Sequence, residues 1–284
     1  MMKSSMLYAI MALASTLSTS VANILDPLNP EEGAATELSK KFQPAMDFDM
    51  DSCYHVVALD LKGHFNEGLI PYNPKGNIFC RTADRLMHSN AYVRRRCNHY
   101  WCAYMYGYYF EKDEGGVEAH IHDWEHVIVW TLHNQIFFVS WSAHGKYTTK
   151  HISDPDLRFH EGTHIKIVNH LGGKGTHSMR LAKDSDEPPE NHWGQWFVAW
   201  LVELTWMEPW SKMLVEHNWG SAHPDFNGDD FGRKLEKFAP WDATHNEGFD
   251  PWSDTDTWAD RSLLFGMRLR GNVTSAEDLV KQEL

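Results

Sequence analysis

Short runs rich in β-branched and aromatic residues recur through the middle of the chain, at residues 54–59, 103–110, 127–132, 136–141 and 165–168, each bounded by turn-forming residues. Runs so short and so rich in Val, Ile, Tyr and Phe suit a pleated, half-buried surface better than a helix. Their spacing predicts an antiparallel sandwich or barrel-like core. Two other stretches, residues 196–204 following Trp193 and residues 231–238, repeat apolar residues at intervals of three and four and read as helices. The expected class is β-rich α+β: a central antiparallel β-sandwich with peripheral helices.

The ends read differently. Residues 1–22 have the form of a secretory signal peptide: Lys3 precedes an uncharged run at residues 7–14, and Ser20, Val21 and Ala22 form a small-x-small cleavage pattern. That run is too short to cross a bilayer, and no other stretch of about 18 uncharged apolar residues occurs, so a secreted product with no transmembrane span is expected. Residues 23–41, with Pro27, Pro30, Glu31, Glu32 and Gly33, read as a flexible arm, and the folded domain is expected over residues 42–239. Residues 240–284 read as an acidic extension carrying Trp241, Trp252 and Trp258, with a last helix over residues 276–284. The extension holds one glycosylation candidate, Asn272, and ends in Lys281, Gln282, Glu283 and Leu284, a weak match to a retrieval signal.

The net charge of -13 disfavours a nucleic-acid partner, because neutralising phosphates takes clustered Lys and Arg. A cation or a neutral ligand suits the chain better, and a monomer is expected. The 13 Trp and 18 His exceed what a core alone requires, and exposed Trp is a common means of gripping sugars or membrane interfaces. Trp193 and Trp196 are the candidates for membrane contact, against the packing role that a helix there favours. Cys53, Cys80, Cys97 and Cys102 in a secreted chain imply two disulfides, for which three connectivities are open. Cys53 with Cys80 and Cys97 with Cys102 is the preferred set, and the first would close a loop worth roughly 3 kcal/mol. The absence of a CxxC pair argues against a zinc knuckle.

The densest chemistry lies in EAHIHDWEH, residues 118–126, where three imidazoles and two carboxylates fall within seven residues at the entrance to an apolar strand. On a regular strand Asp123 and Glu125 share one face, with His120, His122 and Trp124 on the other. His120 can join the carboxylates only if the chain bends before Asp123. Upstream, Glu114, Gly115 and Gly116 suggest a loop that brings Asp113 to the same point. Carboxylates with a single imidazole form a hard, oxygen-rich set that favours Mg²⁺, Ca²⁺ or Mn²⁺ over Zn²⁺. The pattern is not HExxH, and a carboxylate pair also suits general acid and base catalysis. The plainer alternative is a His-rich segment making ordinary hydrogen bonds. Ser140 and Ser142 lack the strand-turn-helix setting of a hydrolase nucleophile, and His144 with Gly145 reads as a turn.

HIHDWE, residues 120–125, flanked by YMYGYYFEKD and HVIVW, resembles the signature of the necrosis- and ethylene-inducing peptide 1-like proteins, the NPP1 family, whose heptapeptide is GHRHDWE. Cys53 with Tyr54 and His55, SWSAHGKY at 140–147, THIKIVNHLGGKGTHSMRLA at 163–182 and WGSAHPDFNGDDFGRKLEKF at 219–238 follow in the family's order. The extra pair Cys97 and Cys102 resembles the type 2 subgroup, with its second disulfide. The resemblance implies a β-sandwich similar to actinoporins and fungal lectins, and cytolysis of plant cells after binding of glycosylated inositol phosphoceramide head groups. It also implies a bound Mg²⁺ or Ca²⁺ at Asp113, His120, Asp123 and Glu125, with His122 and Trp124 supporting the motif. A non-cytotoxic, cation-dependent glycan binder and a metal-dependent hydrolase using Asp123 and Glu125 are the rival functions. Two positions depart from the motif: Ala119 stands where the family has Gly, which alone freely takes positive φ, and Ile121 replaces Arg.

Overall fold

The computed structural model describes residues 24–253, apart from 30, 73–75, 115–117, 173–174 and 247. The signal peptide, Asn272, the helix expected over 276–284, Trp258 and the chain's last four residues lie outside the described residues. In chain order the strands are β1 (Ala45–Phe48), β2 (Asn90–Asn98), β3 (Trp101–Asp113), β4 (His120–Leu132) and β5 (Gln135–Ala143). They continue with β6 (Lys146–His151), β7 (Phe159–His160), β8 (His164–Leu171), β9 (His177–Leu181) and β10 (Trp200–Glu203). A six-stranded sheet runs β10-β2-β3-β4-β5-β6, and a four-stranded sheet runs β1-β8-β7 with β9 also on β8. β10 with β2 and β1 with β8 are parallel, and the other ladders are antiparallel. The helices α1 (Glu37–Lys41), α2 (Ala83–Met87), α3 (Trp210–Glu216), α4 (Gly228–Phe238) and α5 (Trp241–His245) are short and peripheral. The β-rich class holds, with mixed rather than purely antiparallel sheets.

All of β3 is buried, because both of its faces are covered. Tyr104, Tyr106, Tyr108 and Phe110 pack with Phe48, Ile165, Ile167 and Met179 of the smaller sheet. Ala103, Met105 and Tyr109 face the other way, into a second core with Leu214, Trp219, Phe231 and Leu235. A strand covered twice reads as a continuous apolar run instead of an alternating one. Gly107 lies on the helix-facing side, and a Cβ there would sit 2.6 Å from the Phe226 ring. The lack of a side chain is what lets the loop before α4 approach the sheet.

Of residues 196–204, expected as a helix, 196–203 are extended and only Leu204 begins a short 3-10 turn. Phe197 bridges Met46, and Trp200–Glu203 pairs with β2. Phe197, Ala199 and Leu201 are buried while Val198 and Trp200 are exposed, a period of two. Nearly every residue of WFVAWLVE is apolar, so both periods fit the sequence, and two sheet edges needing partners decide between them. The helix expected over 231–238 is present within α4, opened by the Asn227 side chain accepting from the Asp230 N–H. Residues 54–59 are extended with only isolated bridges, His55 to Phe110 and Leu59 to Phe65.

The arm expected to be flexible lies against the edge of β10. Ala34 bridges Val202, and the Asn90 side chain both donates to and accepts from the backbone of the buried Leu28. The segment beyond residue 240 also continues the domain at first. Phe249 is buried edge-on to Trp130, and the Asn98 side chain bonds both the N–H and the C=O of Asp250. Both disulfides are present: Cys53–Cys80, 27 residues apart, and Cys97–Cys102, a directly opposed pair on β2 and β3. Among the described residues no helix is long and apolar enough to cross a membrane.

His55 gives the core a pH dependence. It is fully buried among Phe48, Tyr108, Phe110 and Phe197, and neither ring nitrogen has a hydrogen-bond partner among the described residues. Burial lowers its pKa from 6.5 to about 3. The unfolded imidazole takes up its proton near 6.5 and the folded one only near 3, so stability is lost as pH falls through that window. The contribution approaches ~1.4 kcal/mol per pH unit. In urea unfolding at about pH 6 and about pH 4, His55→Phe is expected to lose less stability than the parent by up to roughly that amount per unit. Identical losses would remove His55 from the account.

Candidate functional site

Where β3 ends and β4 begins, the larger sheet opens into a cavity of about 320 Å³. Asp113 closes β3, and opposite it His120 starts β4, so the two form the last rung of the ladder. His122 then takes φ +61°, a left-handed conformation rare for a non-glycine residue in a strand. This is the bend required before Asp123. With it, His120 Nε2 comes within 3.6 Å of Asp123 Oδ1, an ion-pair distance, while Asp123 and Glu125 follow along the same strand. Asp113, His120, Asp123 and Glu125 all line the cavity. Ala119 has no positive φ, so its methyl group meets no backbone penalty; the unusual conformation falls on His122.

The carboxylates are held by named partners. Both Asp113 oxygens accept from the His177 N–H, at 3.0 and 3.1 Å, and Oδ1 also receives His177 Nδ1 at 2.8 Å. Burial pulls the His177 pKa down, but Asp113 outweighs it and the net shift is upward. Glu125 accepts the Ser142 hydroxyl, whose oxygen in turn accepts the His126 N–H at 2.8 Å; Ser142 is a fixed donor, not a nucleophile. Burial, with Asp123 and Asp113 adding repulsion, raises the Glu125 carboxyl well above its ordinary pKa. The facing Asp123 carboxylate raises His120 to about 9, so this imidazolium offsets part of the acid cluster. Lys234 of α4, paired with Asp225 at 2.8 Å, supplies the other nearby positive charge.

The remaining motif residues have structural roles. His122 Nδ1 shares a 2.6 Å hydrogen bond with the Tyr109 hydroxyl, and the ring packs edge-on to Trp219 and has its pKa lowered to about 4, chiefly by burial. His126 Nε2 donates to the Pro224 carbonyl at 2.8 Å and ties the strand to the loop before α4. Trp124 is buried, lines the cavity, and leaves its indole N–H unpartnered, as does the Tyr147 hydroxyl. Trp196, a candidate for membrane contact against a favoured packing role, is buried: its N–H donates to Glu187 and Lys166 lies over its ring. Trp193 is half-exposed and packs edge-on to Phe197, and neither Trp lines the cavity.

Sequence reasoning missed His177 and Lys234. Each is remote from EAHIHDWEH in the chain, and no local spacing marks it. As the side chains stand, no three His, Cys, Asp or Glu among the described residues converge closely enough to hold a metal ion. The chemistry of the donors fits a hard cation, but the geometry requires side-chain rotation or bridging water.

Comparison with known proteins agrees with the motifs. The family described as Necrosis inducing protein (NPP1) matches residues 36–238. NLP effector protein 10 of Phytophthora capsici is 31% identical over 201 residues, covering 68% of this chain and 79% of that protein. NLP effector protein 2 of Plasmopara viticola is 28% identical over 221 residues, covering 76% and 91% respectively. The chain spans 64% of the length of NLP effector proteins 7 and 9 of Phytophthora capsici. Necrosis and Ethylene inducing Protein 2, from the causal agent of cocoa's Witches Broom disease, shares the fold with a TM-score of 0.63 at 22% identity, over 78% of this chain and 100% of that one. NLPPya in complex with glucosamine does so with a TM-score of 0.59 at 24% identity, over 76% and 95%. The non-toxic HaNLP3 protein gives 0.60 at 22% identity, over 75% and 93%. With the family match extending across the sandwich and the whole cavity-bearing sheet, the chain belongs to the necrosis-inducing protein (NPP1) family.

Proposed function

We propose that the chain is a secreted, monomeric cytolytic effector of plant cells. It binds glycosylated inositol phosphoceramide head groups with the help of Mg²⁺ or Ca²⁺ held by Asp113, His120, Asp123 and Glu125. The observation that carries this reading is the gathering of three carboxylates and one imidazole in a single open cavity. Their mutual repulsion favours a divalent counter-charge, and their oxygen-rich chemistry suits a hard cation. When bound, the ion supplies positive charge to a sugar or phosphate oxygen. NLPPya, which shares the fold, has been crystallised with glucosamine and with mannosamine, and this supports a sugar as part of the ligand.

A non-cytotoxic glycan binder is the second reading, favoured by Ile121 in place of the motif's Arg and by the non-toxic HaNLP3 sharing the fold. Vesicle binding without leakage or leaf necrosis selects it. Both readings require the ion. At a cation concentration ~100-fold above Kd the folded state gains about 2.7 kcal/mol. Thermal unfolding with Mg²⁺ or Ca²⁺ and again after EDTA is expected to show that gain and its loss, with binding to head-group vesicles falling in parallel. Chelation that leaves melting temperature and lipid binding untouched sinks the cation site.

A further inference from the structure

The most exposed large apolar side chains of the described residues include Ile70, at 69%, and Tyr72, at 65%, and Ile121 inside the motif is 41% exposed. The fold packs Ile121 against the segment that carries the other two. Gly68 takes φ +72° directly beneath Ile121; a Cβ there would lie 2.5 Å from Ile121 Cγ2 and 2.9 Å from the Glu111 carbonyl oxygen. The Asn66 side chain accepts from the Gly68 N–H at 2.9 Å and donates to the Val57 carbonyl at 3.1 Å. One residue on, the Leu69 N–H donates to the Glu111 carbonyl at 2.8 Å while its side chain packs on the core. Lys112 Nζ holds the Gly76 carbonyl at 3.1 Å on the far side of the loop. The chain is thus held at Leu69 and again at Gly76, with Ile70 and Tyr72 exposed. Exposed apolar groups on an anchored segment mark an interaction surface.

The position of that surface identifies its partner. Ile121 pairs with Lys112, and the adjoining rung is Asp113 with His120, which lines the cavity. Neighbouring rungs are about 3.4 Å apart and alternate faces, so the cavity and the apolar group flank the same end of the sheet. A lipid whose head group enters the cavity therefore brings its bilayer against Ile121. We propose that Ile70, Tyr72 and Ile121 form an apolar wedge that enters the interfacial layer of a lipid bilayer when a head group occupies the cavity. The proposal rests on the head-group reading above. Apolar side chains with a Tyr at the polar boundary suit that layer, in which affinity scales with buried apolar area.

The test uses the full chain with Ile121→Glu, Ile70→Ser with Tyr72→Ser, and all three changes together. Ile121→Leu is the conservative control. Each is measured for flotation with, and leakage of, phosphatidylcholine vesicles containing or lacking glycosylated inositol phosphoceramide. Each is also measured for glucosamine binding by nuclear magnetic resonance and for its melting temperature. The expected result is a loss of at least ~10-fold in vesicle binding and leakage for the triple variant, with glucosamine binding and melting temperature unchanged and Ile121→Leu like the parent. Triple-variant binding and leakage equal to the parent's overturns the wedge while leaving the cavity reading intact. Loss of self-association in place of vesicle binding makes the patch an interface between copies and also overturns it. A parent that binds neither glucosamine nor the vesicles overturns the head-group reading and the wedge with it.

Discussion

Asp123→Ala is expected to weaken divalent-cation binding by at least ~100-fold and to reduce vesicle leakage in step, the largest functional effect of any single change in the cavity. Losing a group that merely orients a metal ligand typically costs about 10- to 100-fold, and Asp123 is proposed as a ligand itself. Asp123 is central electrostatically: it faces His120 at 3.6 Å and, after burial, does most to raise the Glu125 carboxyl. Its side chain is 14% exposed, so its removal opens no deep cavity. Removing one of three mutually repelling carboxylates also relieves strain in the cation-free protein. The same change removes the partner of the His120 imidazolium, so the melting temperature without cation should stay near the parent's, which separates a lost site from a misfolded chain. The measurements are Mg²⁺ and Ca²⁺ titration followed by melting temperature, and leakage at fixed cation. Lysis equal to the parent's under both cations would exclude Asp123 from the site.

The bend that makes this site possible was legible in the sequence as a requirement, though not as a location. Strict alternation puts His120 and Asp123 on opposite faces, so something between them has to break the pleat; the structure puts the break at His122, with φ +61°. His tolerates the left-handed region better than most non-glycine residues, as His99, His133 and His144 also show, but residue type alone does not say which histidine of the segment takes it. His122 is held there by tertiary partners, the Tyr109 hydroxyl and the Trp219 ring. His177 and Lys234 escaped notice for a related reason. They reach the cavity only after β9 and α4 have packed, and pairing over such separations leaves no periodic trace. The central strands β3, β4 and β5 of the larger sheet were legible because β-branched and aromatic runs between turns have few alternative conformations, whereas β2 and β6, rich in Arg, Lys and Thr, carry no such run. At residues 196–204 the signal failed, because a segment apolar on every side carries no period to read. Residues 24–36 and 240–253 failed the opposite way: with few apolar residues, they are held by a few buried anchors, Leu28, Ala35, Ala243 and Phe249, and by the Asn90 and Asn98 side chains.

The largest stability effect is expected at a pair two residues from the cavity. Arg85 of α2 and Glu111 of β3 are 3% and 1% exposed in their side chains, and the guanidinium engages both carboxylate oxygens, Nη2 reaching Oε1 at 3.1 Å. Replacing Glu111 by Ala leaves a buried guanidinium with no counter-charge, which costs about 3–5 kcal/mol, or roughly 6–20 °C in melting temperature for a domain this size. Desolvation dominates such a pair, so removing both charges should cost less than removing one. Arg85→Met with Glu111→Leu is expected to recover most of the loss. The functional consequence follows from where Glu111 sits. Its carbonyl anchors the Leu69 N–H, and two residues later β3 ends at Asp113. The single variant should therefore lose leakage activity on warming, whereas the double variant, with the same backbone contacts and no buried charge, should retain it. Urea unfolding of the parent, both single variants and the double variant closes the cycle. A double variant as unstable as Glu111→Ala would mean that the pair's specific geometry, and not the cost of an uncompensated charge, holds this end of the sheet together.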